Sequence, residues 1–139
     1  MVQHILFEDI NWLGALVAAV VAFVLGAIWY SPLMFARPWQ RALGLTDEEI
    51  RSGHVGLIFA SAFVAMVVAA AGFSLILGQG AGIAAGVHWG LGIGLLFVAT
   101  SLAIHNAFER RPLHYWAINS GFNLVQFLVY GLILGAWPD

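Results

Sequence analysis

The stretch GIAAGVHWGLGIGLLFVA, residues 82–99, carries no charged side chain. A helix needs about 20 predominantly apolar residues to cross a hydrocarbon core of about 30 Å. Three other parts of the chain have the same length and character. The sequence therefore predicts four transmembrane helices, near residues 10–31, 55–77, 82–105 and 115–137.

The composition supports this interpretation. Of the 139 residues, 62% are hydrophobic and 9% are charged, which lies far outside the range of soluble globular proteins. We therefore expect residues 1–139 to form one all-α domain, an integral membrane four-helix bundle whose first partner is the lipid bilayer. A net charge of −2 gives no general attraction to nucleic acid, and the absence of cysteine excludes disulfides and thiolate ligands.

The connection between the first two helices, residues 32–54, has structure of its own. Met34, Phe35, Trp39 and Leu43 recur at roughly helical spacing, which predicts a short helix lying in the headgroup region. Thr46-Asp47-Glu48-Glu49 has the spacing of a capping box. This box allows helix two to begin well before the membrane.

The arginines predict the orientation of the chain. All five basic residues lie in the two connections that share one side of a four-helix protein: Arg37, Arg41, Arg51, Arg110 and Arg111. The positive-inside rule makes that side cytoplasmic and places both termini, with Asp139, on the opposite side.

Two helices carry small residues at intervals of four, which in lipid mark faces where backbones approach closely. These stripes are Gly82, Gly86, Gly90 and Gly94 on helix three, and Gly14, Ala18, Ala22 and Gly26 on helix one. They fit packing within one bundle and also packing between copies, so a homo-oligomer is one hypothesis.

A polar seam runs along helix four, where Asn119, Asn123, Gln126 and Tyr130 share one face. His88 on helix three lies at a depth similar to that of Tyr130 and roughly opposite the glycines. Because a histidine that faces lipid is costly, we expect His88 to face protein and to lie within reach of a hydrogen bond to Tyr130. These five residues form the candidate polar seam.

Other polar residues gather at the arginine side. The candidate cluster there consists of Tyr30, His105, Asn106, Glu109 and Arg110. His105 and Glu109 are one turn apart, but two ligands do not define a metal site, so neither a metal nor a cofactor is predicted. We expect Glu109 to pair with an arginine of its own loop or with Arg37 or Arg41.

Three motifs in order resemble those of a known family. They are Trp29-Tyr30-Ser31-Pro32 with Phe35 and Trp39, Asn106 with Phe108-Glu109-Arg110-Arg111, and Ile118-Asn119 with Gly121-Phe122. The chain resembles the bacterial membrane proteins grouped as "domain of unknown function 1761". The resemblance implies a four-helix inner-membrane protein with no assigned reaction, substrate or cofactor. It also draws Tyr30, Asn106, Glu109 and Asn119 into one expected cluster where helices one, three and four meet.

Three functions remain open on the sequence. The first is movement of a small solute or proton along the polar seam. The second is a structural or assembly subunit that works through glycine-lined helix contacts. The third, least favoured, is an intramembrane enzyme using His88 or Glu109; no catalytic residue is predicted, since no nucleophile or phosphate-binding motif is present.

Overall fold

A computed structural model describes residues 7–138, and all regular structure in that range is helical. After a single 3-10 turn at Phe7–Asp9, the elements are α1 (Trp12–Trp29), α2 (Ala36–Leu43), α3 (Asp47–Arg51), α4 (Val55–Leu77), α5 (Ile83–Glu109) and α6 (Leu113–Ala136). The predicted position of Asp139 lies outside the described residues.

The four long helices α1, α4, α5 and α6 are each long and apolar enough to cross a membrane. The predicted all-α fold with four such helices is therefore confirmed. α5 runs four residues past its predicted end and contains a π-helical segment at Gly94–Ala99. It stops where Arg110 adopts the left-handed conformation with φ 57°, which closes the helix as a C-cap.

The capping box forms, but it does not start helix two. The Thr46 hydroxyl accepts a hydrogen bond from the Glu49 amide at 3.1 Å, and this cap begins the five-residue helix α3. α3 ends at Arg51, and α4 begins separately at Val55. The expectation that helix two begins well before the membrane is therefore wrong, because Ser52, Gly53 and His54 interrupt the helix.

α6 lies at the centre of the bundle. It packs along α5 on one side and against α1 on another, while α4 packs mainly on α1. The core lies among α1, α4 and α6, where Ala15, Ala18, Phe73 and Tyr130 are almost or fully buried. α5 is thus held in place chiefly by α6.

The glycine stripe of α5 faces α6, so packing within the bundle accounts for it. A Cβ atom on Gly86 would overlap the carbonyl group of Gly131, and one on Gly90 would lie 2.5 Å from the Phe127 carbonyl oxygen. Gly135 meets Gly82 in the same way. Backbone therefore packs on backbone along this contact, which only glycine permits.

α4 has two unlike halves. Towards its end Ala70, Phe73 and Ser74 are buried, and the Ser74 hydroxyl accepts a hydrogen bond from the Asn11 amide at 3.2 Å. Towards its start, all of residues 55–61 are exposed, and we call them the exposed segment of α4. One side chain of this segment, Phe59, makes an edge contact with Phe23 of α1 at 5.9 Å between ring centroids.

Candidate functional site

The half of the seam on α6 that lies farther from the arginines contains a buried tyrosine. Tyr130 has no exposed surface, and its hydroxyl donates to the Met66 carbonyl oxygen at 2.9 Å. The same hydroxyl accepts a hydrogen bond from Gln126 Nε2 at 2.7 Å. The rings of Phe73 and Phe127 pack around it. Tyr130 therefore ties α6 to α4 inside an apolar core, and Gln126 donates to the same hydroxyl from within α6.

The half of the seam nearer the arginines is tied to α1. The Tyr30 hydroxyl donates to Asn119 Oδ1 at 2.6 Å, and Trp29 Nε1 donates to the Ile118 carbonyl at 2.9 Å. Asn123 Nδ2 donates to the Asn119 carbonyl at 2.7 Å.

His88 does not belong to the seam. Its side chain is exposed, and its Nδ1 bonds the carbonyl oxygen of Ala84 on its own helix at 2.7 Å. The predicted placement of His88 against protein is wrong within the chain, as is the hydrogen bond to Tyr130. The physical reason is that only one face of α5 can meet α6, and the glycines occupy it.

At the arginine end, the contacts centre on a residue outside the predicted cluster. Arg111 Nη1 donates to the carbonyl oxygens of Ala42 and Leu43 at 3.3 and 3.5 Å, which are the last carbonyls of α2. Its own carbonyl accepts a hydrogen bond from Asn106 Nδ2 at 3.1 Å, and Glu109 lies 3.9 Å from its Nε. Arg111 therefore fastens α2 to the loop between α5 and α6.

The predicted cluster is accordingly divided. Tyr30 bonds Asn119 between α1 and α6, whereas Asn106 and Glu109 contact Arg111, and no side-chain hydrogen bond among residues 7–138 joins the two groups. His105 and Arg110 are exposed. No three His, Asp or Glu side chains in this part of the chain are placed to hold a metal ion.

The sequence contains part of the information that predicts the contact between Arg111 and α2. A cation near the end of a helix stabilises its free carbonyl groups. The short helix before residue 44 was predicted, but which of five arginines would reach its end depends on how α2 folds back on the bundle. That choice is tertiary and is not encoded in local spacing.

Three clefts lie at the ends of the bundle. One of about 130 Å³ lies near Ser74 and Trp137. Two of about 440 and 400 Å³ lie at the arginine end and share Arg41. No seam residue lines any of the three.

Comparison with known families supports the resemblance found in the motifs. The family described as "Protein of unknown function (DUF1761)" matches residues 13–135, which is most of the chain. No curated protein and no solved structure matches it. The chain belongs to the DUF1761 family.

Proposed function

We propose that this DUF1761 protein is a structural subunit of the bacterial inner membrane that works as a homo-oligomer, with a second copy packed on the exposed segment of α4. The observation that carries the proposal is the exposure of small residues at the start of α4. Gly56 and Ser74 are five full helical turns apart and so share one face. That face is buried at Ser74 and open at Gly56, where a Cβ would meet nothing within 4 Å.

The small residues of this open face would allow another helix to pack closely against it. Gly56 and Ala60 follow each other at the interval that lets helices approach closely in lipid. Phe59 and Phe63 beside this face contact Phe23 of α1, but a Cβ on Gly56 would meet nothing within 4 Å among residues 7–138, unlike a Cβ on Gly86 or Gly90 of α5. A helix from a second copy would supply the missing contact.

Charge complementarity at the rim favours a second copy as that occupant. Asp47, Glu48 and Glu49 precede the exposed segment, while Arg37 and Arg110 lie on the same end of the bundle. Among the described residues none of these five side chains forms a salt bridge. In a two-fold dimer the same surface meets itself, so acids of one copy can face arginines of the other.

The seam fits a structural role. Gln126, Tyr130 and Asn119 each use a side-chain polar group on a neighbour, and two of these bonds cross between helices. Such bonds contribute about 0.5–2 kcal/mol each to holding transmembrane helices together. The placement of the arginine end in the cytoplasm, with the termini outside, follows from the positive-inside rule and is part of the proposal.

Cross-linking in native membranes tests the second copy. The chain has no cysteine, so a single introduced cysteine cannot form a disulfide within one chain, and a disulfide-linked band of twice the chain mass reports its counterpart in another copy. We expect a scan through residues 55–61 to give dimers that recur every three to four positions and include Ala60→Cys. Ile76→Cys is the control, since Ile76 is 54% exposed at the other end of the same helix. Cross-linking in the scan no stronger than at Ile76→Cys would refute the proposal.

Movement of a small solute or proton along the seam is the second candidate. Two buried side-chain oxygens, Asn106 Oδ1 and Ser120 Oγ, lack a hydrogen-bond partner at the arginine end. A polar path there would have to open the bond between Tyr130 and Met66 to reach the other side. Liposome flux that is abolished by Asn123→Leu, while the dimer persists, would favour this candidate; unchanged flux would remove it.

A further inference from the structure

A cleft of about 400 Å³ opens between α2 and the start of α6. Its lining consists of Pro38, Arg41, Ala42, Pro112 and His114. It therefore presents a guanidinium and an imidazole between apolar walls, with no carboxylate in its lining. The neighbouring cleft shares Arg41 but also contains Asp47, whose carboxylate accepts a hydrogen bond from Gln40 at 2.7 Å.

The cation in this cleft has no partner of its own. Arg41 is exposed, and among residues 7–138 it forms neither a salt bridge nor a side-chain hydrogen bond. Arg111 differs from Arg41, because its guanidinium donates hydrogen bonds to the last carbonyls of α2 and lies near Glu109. By fixing α2, Arg111 holds Arg41 at the side of the cleft while leaving its guanidinium free.

The cleft also lies at the first turn of α6. Pro112 is the N-cap of this 24-residue helix and makes no side-chain cap bond. The first amides of a helix and its dipole favour an anion. Two features thus favour a negatively charged ligand, the free guanidinium and the uncapped start of α6, and the His114 ring adds a nitrogen that can donate a hydrogen bond.

We propose that this cleft binds the phosphate of an anionic phospholipid headgroup. The cleft lies where helices long enough to span the membrane end, which is the level of the headgroups. Basic pockets of this kind at the ends of transmembrane helices hold anionic headgroups. The inference depends on the membrane placement of the protein and does not require the second copy.

Lipid retention by the purified protein tests the site. Native mass spectrometry of the monomer signal would be recorded with added phosphatidylglycerol, and separately with phosphatidylcholine. We expect phosphatidylglycerol to bind more tightly, and Arg41→Gln to weaken that binding about fivefold, the effect of one cation at a membrane surface. His114→Gln should weaken it in the same direction.

Arg51→Gln is the matched control. It removes the same charge from the same end of the bundle, but Arg51 lines neither cleft. Equal binding by the Arg41→Gln and Arg51→Gln proteins would overturn the proposal. Displacement of phosphatidylglycerol by millimolar inorganic phosphate would also overturn it, because the site would then hold free phosphate. Reading the monomer signal keeps the result separate from the dimer.

Discussion

At the scale of single residues, the seam residues of α6 form hydrogen bonds with one another and with α1 and α4. The Tyr130 hydroxyl is both a donor and an acceptor, and it is fully buried. Its removal leaves a buried amide and a buried carbonyl without their partner. A buried polar group that loses its partner costs more than the bond itself contributed.

Tyr130→Phe should therefore lower the free energy of unfolding by about 1–3 kcal/mol. Tyr30→Phe should cost less, since Tyr30 is only partly buried. Tyr115→Phe is the control, because the Tyr115 hydroxyl makes no side-chain hydrogen bond among the described residues. Unfolding of the three purified variants by denaturing detergent measures this order, and equal losses would contradict it.

Gly86→Ala tests the backbone contact between α5 and α6. The new methyl group would overlap the Gly131 carbonyl, which cannot rotate away, so we expect a loss of about 1–3 kcal/mol in unfolding free energy. Gly92→Ala lies on the same helix with nothing within 4 Å of its Cβ. Alanine there should be neutral or slightly stabilising, as in other helices. If both substitutions behave alike, the helices do not meet through these glycines.

At the scale of elements, the short helix α2 is attached to the rest of the bundle through side-chain contacts. Arg111 Nη1 reaches its last two carbonyls from the loop after α5. Trp39 adds a ring contact to Tyr30 at 5.6 Å between centroids. The position of α2, and with it the arginine-end cleft, depends on this attachment.

Arg111→Gln should loosen α2 without unfolding the bundle. We expect faster hydrogen exchange at the amides of residues 39–43, by roughly tenfold for the loss of about 1.4 kcal/mol. Arg110→Gln removes the same charge at the adjacent exposed position and should leave these amides unchanged. Equal exchange in the two variants would show that α2 is held by other contacts.

The long helices also show which features of the fold could be predicted from the sequence. Helix number and approximate bounds followed from apolar runs, because spanning length is a property of each segment alone. The seam on α6 followed from spacing for the same reason. The side of α5 that faces α6 could not be predicted from the sequence. That prediction requires comparing the free-energy cost of exposing His88 with the gain from packing the glycines of α5 against Gly131. The hydrogen bond between His88 and the Ala84 carbonyl of the same helix offsets part of that cost.

At the scale of the whole molecule, the arginines mark one end of the bundle. Leu45 lies at that end, and Gln79 lies in the turn at the other end; the cysteine-free chain allows each to be labelled alone. In intact cells we expect a membrane-impermeant maleimide to modify Gln79→Cys and to spare Leu45→Cys until the membrane is permeabilised. The opposite pattern would reverse the proposed orientation.

The account as a whole depends on a second copy covering the open face of α4. The most direct measurement is the native mass of the wild-type protein released from lipid nanodiscs. We predict the mass of two 15.0 kDa chains for the wild-type protein. When Gly56 is replaced by leucine, the fraction of protein with the single-chain mass should increase. A single-chain mass for the wild-type protein at every concentration would contradict the account.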